Sequence, residues 1–256
     1  MNYGTCNLSI IPLRIEPDDK SEMISQLLFG DSFKILSKSK HWIKIKLAFD
    51  DAIGWIDAKQ YVEISKEYYK ELQKNSTTIS NELIDFIEDE SHKLTSIVLG
   101  TTLPFYKNSK LELNGINYFF EGDISNKQLT KEAIVKTAFL YLNTPYLWGG
   151  KTPFGIDCSG FTQMVYKING HQLFRDAAEQ ASQGEVLSFI EESTPGDLAF
   201  FDDKEGEIIH TGIILADNYI IHASGKVRID RLDQSGIYNA DIKKHTHKLR
   251  VIKKIF

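Results

Sequence analysis

The residues whose types and spacing could do chemistry are Cys158, His210 and His222. Cys158 closes a glycine- and proline-rich stretch, Pro145-Tyr146-Leu147-Trp148-Gly149-Gly150-Lys151-Thr152-Pro153-Phe154-Gly155-Ile156-Asp157. After it, Phe161, Met164, Val165 and Ile168 fall at helical spacing. This places a thiol at a loop-to-helix junction, where unpaired amide N–H groups and the positive end of the helix dipole favour anions. A thiol there should ionise more easily than a free one, which suits a nucleophile. A thiolate attacking a carbonyl needs a base, and that base needs a third group to orient it. His210 lies in Ile208-Ile209-His210-Thr211-Gly212-Ile213-Ile214, and His222 in Tyr219-Ile220-Ile221-His222-Ala223, with a turn signal at Ala216-Asp217-Asn218. Adjacent antiparallel strands would carry both imidazoles to one end of a sheet, with His210 as the base and His222 as its orienter.

Each of these residues also has a plainer reading. A lone cysteine is commonly a small buried hydrophobe, and either histidine alone could be a core residue satisfied by backbone; the three together favour catalysis. Tyr146 and Trp148 could be packing aromatics, and Asp157 could serve only as a helix-start carboxylate. His41, His171, His245 and His247 read as exposed or structural. His245 and His247 are two ligand types with no third nearby, which is a weak metal signal.

The elements that must position these groups divide the chain into three parts. From 1 to 65, short β-rich runs alternate with turns: Leu8–Ile15, Gln26–Asp31, Ser32–Leu36, the period-2 run His41-Trp42-Ile43-Lys44-Ile45-Lys46-Leu47, and Gly54-Trp55-Ile56-Asp57. Their close spacing predicts a small antiparallel barrel. Over 66–93 the texture predicts a helical connector, with Asn81 capping Glu82–Glu88. From 94 to 127 β-rich runs resume, with a hairpin signal at Asn114-Gly115, and predict a second, divergent barrel. Residues 128–256 begin with a helix whose Ile134, Val135, Ala138, Phe139 and Leu142 form one apolar stripe. The Cys158 helix and a short helix opened by Asp176 follow, and then a series of strands, which predicts an α+β unit with an antiparallel sheet.

Composition narrows the function. A length of 256 residues, 42% of them hydrophobic and 25% charged, predicts a globular chain of two or three units. A net charge of −5 argues against nucleic-acid and anionic-membrane partners, which gain from clustered basic charge. No apolar run approaches the roughly 20 residues of a membrane span, and Met1–Cys6 contains no export signal. Only two cysteines, Cys6 and Cys158, are present, which is compatible with a reducing compartment.

The motifs 146–161, Pro195-Gly196-Asp197-Leu198-Ala199-Phe200-Phe201, His210-Thr211-Gly212-Ile213 and Tyr219–Ser224 together resemble the NlpC/P60 family of papain-like cysteine peptidases. The first region, with Pro12-Leu13-Arg14, Leu27–Asp31, Trp42–Ile45 and Gly54-Trp55-Ile56, resembles a bacterial SH3-like domain. The resemblance implies two SH3-like barrels followed by a papain-like catalytic domain that cleaves bacterial cell-wall peptides. It implies Cys158 as nucleophile, His210 as general base and acid, and His222 as orienting residue. Tyr146 would help form the oxyanion environment with the Cys158 amide, and Asp157 and Ser159 would line the substrate site.

Two barrels ahead of such a domain are similar to the γ-D-glutamyl-L-diamino acid endopeptidases of murein recycling. That similarity implies murein peptides with a free N-terminal L-Ala as partners, and a first barrel that blocks one end of the cleft. An acidic group at a closed end would pair with the substrate ammonium; Glu22 is the candidate acid and Trp55 a neighbouring wall. No metal or organic cofactor is implied, and a monomer is expected. The compartment is cytoplasmic if the chain is full length, and periplasmic or extracellular if an export signal was trimmed. Two other readings stay open: acyl transfer or hydrolysis at another amide, and a non-catalytic wall-binding SH3 protein.

Overall fold

The computed structural model describes residues 2–75 and 78–256, and the chain divides into two compact units, Met1–Lys127 and Gln128–Phe256. In the first unit, β1 (Asn2–Thr5), β2 (Ile10–Arg14), β3 (Met23–Leu28), β4 (Ser32–Ser39), β5 (Trp42–Leu47), β6 (Ile53–Asp57) and β7 (Val62–Ile64) form one antiparallel sheet. The order is β3-β2-β6-β5-β4-β1-β7. Strand alternation sorts β5 as its pattern requires: Ile43, Ile45 and Leu47 are buried, while Trp42, Lys44 and Lys46 are half-buried on the other face. The buried set joins Cys6, Ile11, Leu13, Leu27, Phe33, Ile35 and Ile56 in one core, which makes this the SH3-like region.

Helix α1 (Lys66–Asn75) follows; the Ser65 Oγ accepts the Tyr68 amide at 3.0 Å at its start. Next come β8 (Ile79–Ser80), β9 (Ile84–Asp89), β10 (Leu94–Val98), β11 (Lys110–Leu113), β12 (Ile116–Phe119) and β13 (Ile124–Ser125). They make a four-stranded sheet, β10-β9-β12-β11, and a separate β13-β8 pair. Asn114 and Gly115, both at positive φ, close the tight hairpin between β11 and β12.

The structure corrects the expected helical connector over 66–93. Helix ends at Asn75, and the stretch expected as a helix after Asn81 contains β9, paired antiparallel with β10. The Asp89 carboxylate builds the turn by accepting the Ser91 and Lys93 amides at 2.8 and 3.1 Å. Seven residues are too few for a stable isolated helix, so cross-strand pairing prevails. The second β region therefore begins at Ile79 rather than at 94.

In the second unit, α2 (Lys131–Leu140), the hairpin β14 (Lys151–Thr152) and β15 (Gly155–Ile156), α3 (Cys158–Ile168) and α4 (Ala177–Gln180) precede the strands. These are β16 (Glu185–Leu187), β17 (Leu198–Asp202), β18 (Ile208–Leu215), β19 (Tyr219–Ser224), β20 (Lys226–Asp233), β21 (Gly236–Asn239) and β22 (Lys244–Lys254). Strand β21 pairs with both β20 and β22, and β22 returns to β17, so six antiparallel strands close into a ring. Ala199, Phe201, Ile214, Ile220, Leu232, Ile237 and Ile252 form a core on one face of that ring.

Helix α3 is buried along all of its residues, packed between α2, α4 and strands β18 and β19. The apolar stripe of α2 is narrower than its spacing predicts. Ile134, Thr137 and Ala138 are buried and Val135 is half-buried, but Phe139 and Leu142 face outward, because the helix meets α3 along one line only.

The approach to Cys158 depends on glycine. A Cβ on Gly160 would lie 2.3 Å from the Gly150 carbonyl oxygen and 2.8 Å from Asp157 Oδ1, neither of which can yield cheaply. Gly160→Ala is therefore expected to destabilise the second unit by about 1–3 kcal/mol, measured as a lowered urea midpoint.

Candidate active site

Asp157 is the N-cap of α3 and stands in extended backbone before Cys158. Its Oδ1 accepts the Gly160 amide at 2.6 Å and its Oδ2 the Gly149 amide at 2.8 Å, so one carboxylate ties the glycine loop to the helix start. Arg175 completes the cluster: Nη2 donates to Asp157 Oδ2 at 2.5 Å, while Nη1 donates to Asp157 Oδ1 at 3.0 Å and to Ser159 Oγ at 2.9 Å. The Ser159 hydroxyl donates in turn to Asp157 Oδ1 at 3.4 Å. All three residues are buried.

Across from the helix start, β18 and β19 place the two histidines. Gly212 pairs with His222 in the ladder, so His210, two residues earlier, stands diagonal to His222 on the same face. A Cβ on Gly212 would meet the His222 Cβ at 2.8 Å; the glycine leaves the space that His222 uses. His210 Nε2 lies 2.8 Å from His222 Nδ1, with the rings nearly perpendicular at 86°. The backbone of Thr211, the residue after His210, hydrogen-bonds the Cys158 thiol. Cys158 thus meets β18 one residue from His210.

Burial governs protonation here. It pushes the Cys158 thiol up to about 12, with the Asp157 charge adding to the rise and the Thr211 bond and Arg175 only partly opposing it. This corrects the expectation of an easily ionised thiol: the helix N-terminus is present, but desolvation outweighs it. Burial also pushes His210 well below the usual imidazole range, helped by His222 and His247. Both shifts favour the neutral forms, thiol at Cys158 and imidazole at His210. Burial, with Cys158 and Asp157, holds Tyr146 up to about 12, so its phenol stays a hydrogen-bond donor at neutral pH.

Family comparisons agree with this geometry. Residues 143–250 match the model of the NlpC/P60 family, and residues 13–60 match the bacterial dipeptidyl-peptidase Sh3 domain. The C-terminal unit is an NlpC/P60 cysteine peptidase domain. Dipeptidyl-peptidase 6 of Lysinibacillus sphaericus is 28% identical over 90% of this chain and 92% of its own length. The gamma-D-glutamyl-L-lysine dipeptidyl-peptidase of Bacillus subtilis (strain 168) is 28% identical over 78% of this chain and 71% of its own. Among solved structures, an NlpC/P60 family protein from Bacillus cereus superimposes with a TM-score of 0.83 at 20% identity, over 99% of both chains, and so shares the fold.

In this NlpC/P60 unit a cleft of about 240 Å³ is lined by Tyr146, Ile209, His210, Ala223, Ser224, Gly225 and His247. Tyr146 and His210 both line it, whereas Cys158 and His222 are not among its lining residues. Asp157 and Ser159 are not among the lining residues; their polar atoms are engaged with Arg175. Trp148 is exposed. In the first unit, Glu22 is exposed just before β3, and Trp55 on β6 is half-buried with Lys44 Nζ 5.9 Å from its ring centroid. Trp55 pairs with Arg14, and the Glu22 carbonyl accepts the amide of Ile15, the residue after Arg14, at 3.0 Å.

Three contributors escaped the sequence. His247, expected to be exposed or structural, stacks on His210 with centroids 4.1 Å apart, and burial depresses it to about 4. A shift in register between Ile237 and Tyr238 along β22 separates it from His245, which bonds the Asp233 carboxylate at 2.8 Å instead. Among the described residues no group of three or more ligand-type side chains is placed to hold a metal. Arg175 and Asp230 carried no local motif; Asp230 shares its face of β20 with Lys226 and Arg228, and such a run of charge reads as a solvated face. Among the described residues no helix is long and apolar enough to cross a membrane.

Replacing Arg175 by Gln would leave Asp157 as an unpaired buried charge, with an expected loss of about 3–5 kcal/mol in urea unfolding. Because the Cys158 pKa is raised, its thiolate fraction grows about tenfold per pH unit through neutrality. Alkylation of Cys158, followed by mass spectrometry, is expected to accelerate about tenfold per unit from pH 7 to 9.5; a plateau below pH 8 would show a preformed ion pair instead.

Proposed function

We propose that this chain hydrolyses the γ-D-glutamyl bond to a diamino acid, L-Lys or meso-diaminopimelate, in murein stem peptides that carry a free N-terminal L-Ala. Cys158 is the nucleophile, His210 the general base and acid, and His222 the residue that orients it. The observation that carries this reading is the buried His210–His222 pair beside a thiol bonded to Thr211 at the α3 start. The relatives from Bacillus subtilis and Bacillus cereus are gamma-D-glutamyl-L-lysine dipeptidyl-peptidases, which supports the choice of bond.

In the first step the Cys158 proton passes to His210 as sulfur bonds to the carbonyl carbon. The tetrahedral oxyanion is met by the Cys158 amide and the Tyr146 hydroxyl, the interaction expected to contribute most to the rate. The C–N bond breaks as His210 returns the proton to the leaving amine, and a thioester remains. Water, deprotonated by His210, releases the acid and regenerates the thiol. Starting from neutral partners suits this sequence, since charge appears only as the carbonyl is attacked. In the first unit, the exposed Glu22 carboxylate is the group that would attract the substrate ammonium, with Trp55 as a neighbouring wall.

Mass spectrometry of products from L-Ala-γ-D-Glu-L-Lys and its N-acetylated counterpart tests the reading. The free-amine peptide alone is expected to be cleaved, with kcat reduced about 10³-fold or more in Cys158→Ala. Glu22→Gln is expected to raise KM for the free-amine peptide while kcat is kept. Cleavage of both peptides would remove the amine requirement, and cleavage of neither would remove the substrate assignment.

A further inference from the structure

The hydrogen-bonded line does not end at His222. His222 Nε2 lies 3.0 Å from Asp230 Oδ2, and Arg228 grips the same carboxylate, donating from Nε to Oδ2 at 2.7 Å and from Nη2 to Oδ1 at 2.9 Å. Arg228 Nη2 also donates to Asp241 Oδ2 at 2.7 Å. Register builds this line. Arg228 pairs with His222 and Asp230 with Ile220, so on β18, β19 and β20 the residues His210, His222, Arg228 and Asp230 share one face. Ile214, Ile220 and Leu232 continue that face into the core of the ring. His222 and Asp230 are buried.

We propose that Asp230, clamped by Arg228, is a positioning residue that sets which ring nitrogen of His210 is free to take the Cys158 proton. The proposal rests on the roles given to Cys158 and His210 above. It follows from counting donors and acceptors. Burial alone would raise the Asp230 carboxyl, but hydrogen bonds from His222 and Arg228 outweigh it and hold it below the usual range. An ionised carboxylate only accepts, so His222 must carry its hydrogen on Nε2. Burial lowers His222 and keeps the ring neutral despite Asp230, so its Nδ1 is a bare lone pair. That lone pair faces His210 Nε2 at 2.8 Å and must receive a hydrogen from it. A neutral His210 with hydrogen on Nε2 has a bare Nδ1, the only nitrogen left to act as base. During the reaction one proton moves from sulfur to His210 Nδ1 and on to the leaving amine. The Nε2 hydrogens of both rings stay in place, and Asp230 stays ionised.

A role confined to holding β19 against β20 would leave the tautomers of His210 and His222 unchanged in any folded variant. The tautomer role does not. Asp230→Asn keeps an acceptor: with its oxygen in the place of Oδ2 it takes hydrogens from His222 Nε2 and Arg228 Nε, and Arg228 Nη2 retains Asp241. Asp230→Ala removes the acceptor, so His222 is free to carry its hydrogen on Nδ1, and His210 follows with its hydrogen on Nδ1, where it cannot accept the thiol proton.

The test uses the full chain labelled with ¹⁵N on its histidine rings, read by two-bond ¹H–¹⁵N spectra without substrate, together with kcat for the free-amine peptide. In wild type, His210 and His222 are both expected to carry hydrogen on Nε2. Asp230→Ala is expected to move both toward Nδ1–H and to lower kcat about 10–100-fold, whereas Asp230→Asn keeps hydrogen on Nε2 of both rings and restores most of kcat. Hydrogen on Nδ1 of either wild-type ring overturns the proposal, and so does a folded Ala variant whose two rings keep the wild-type tautomers. The wild-type spectra decide even where a variant fails to fold. They involve no turnover, so an error in the proposed substrate would leave them unchanged.

Discussion

One buried carboxylate, Asp157, organises the start of α3 around Cys158. Its two oxygens receive the amides of Gly149 and Gly160, the Ser159 hydroxyl and two nitrogens of Arg175. A buried carboxylate without such partners would be strongly disfavoured, so the glycine loop, the start of α3 and the segment bearing Arg175 must converge together. Cys158 is the next residue, and its position follows from theirs. The same negative charge works against ionisation of the thiol that it positions.

The histidines answer to a second constraint, closure of the strands into a ring. A flat edge would leave His210 and His222 in water, where their protonation and ring orientation would be free. Within the ring their neighbours are Phe201, His247 and each other, and the low local dielectric keeps the rings neutral and their hydrogen bonds directional. Gly212 is where sequence makes room for this, since any side chain there would occupy the place of His222. In the proposed reaction, chemistry then starts from an uncharged pair, and the electrostatic demand falls on the groups that meet the oxyanion.

Much of this was legible in the residues. The period-2 run at Trp42–Leu47, the Asn114-Gly115 turn, the strands bearing His210 and His222 and the helix after Cys158 all appear where local pattern places them. The misreadings share a cause. Glu82–Glu88 has acceptable helix content but becomes a strand because β10 and β12 stand beside it. Phe139 and Leu142 extend a helical stripe in sequence, yet only one line of α2 meets α3. The thiol at a helix start was expected to be acidic, a local inference that burial reverses.

By itself, the sequence determined which side chains could do the chemistry and the order of the elements that bear them. Turn residues, alternation and helical spacing are local, and local patterns survive in a linear string. Tertiary structure alone decided that His247 stacks on His210, that Arg175 neutralises Asp157, and that Asp230 and Arg228 extend the line from His222. These partners come from separate strands and loops, and register and ring closure bring them within hydrogen-bonding reach. The protonation of the site belongs to the same class, because desolvation depends on everything packed around a group and not on its neighbours in the chain.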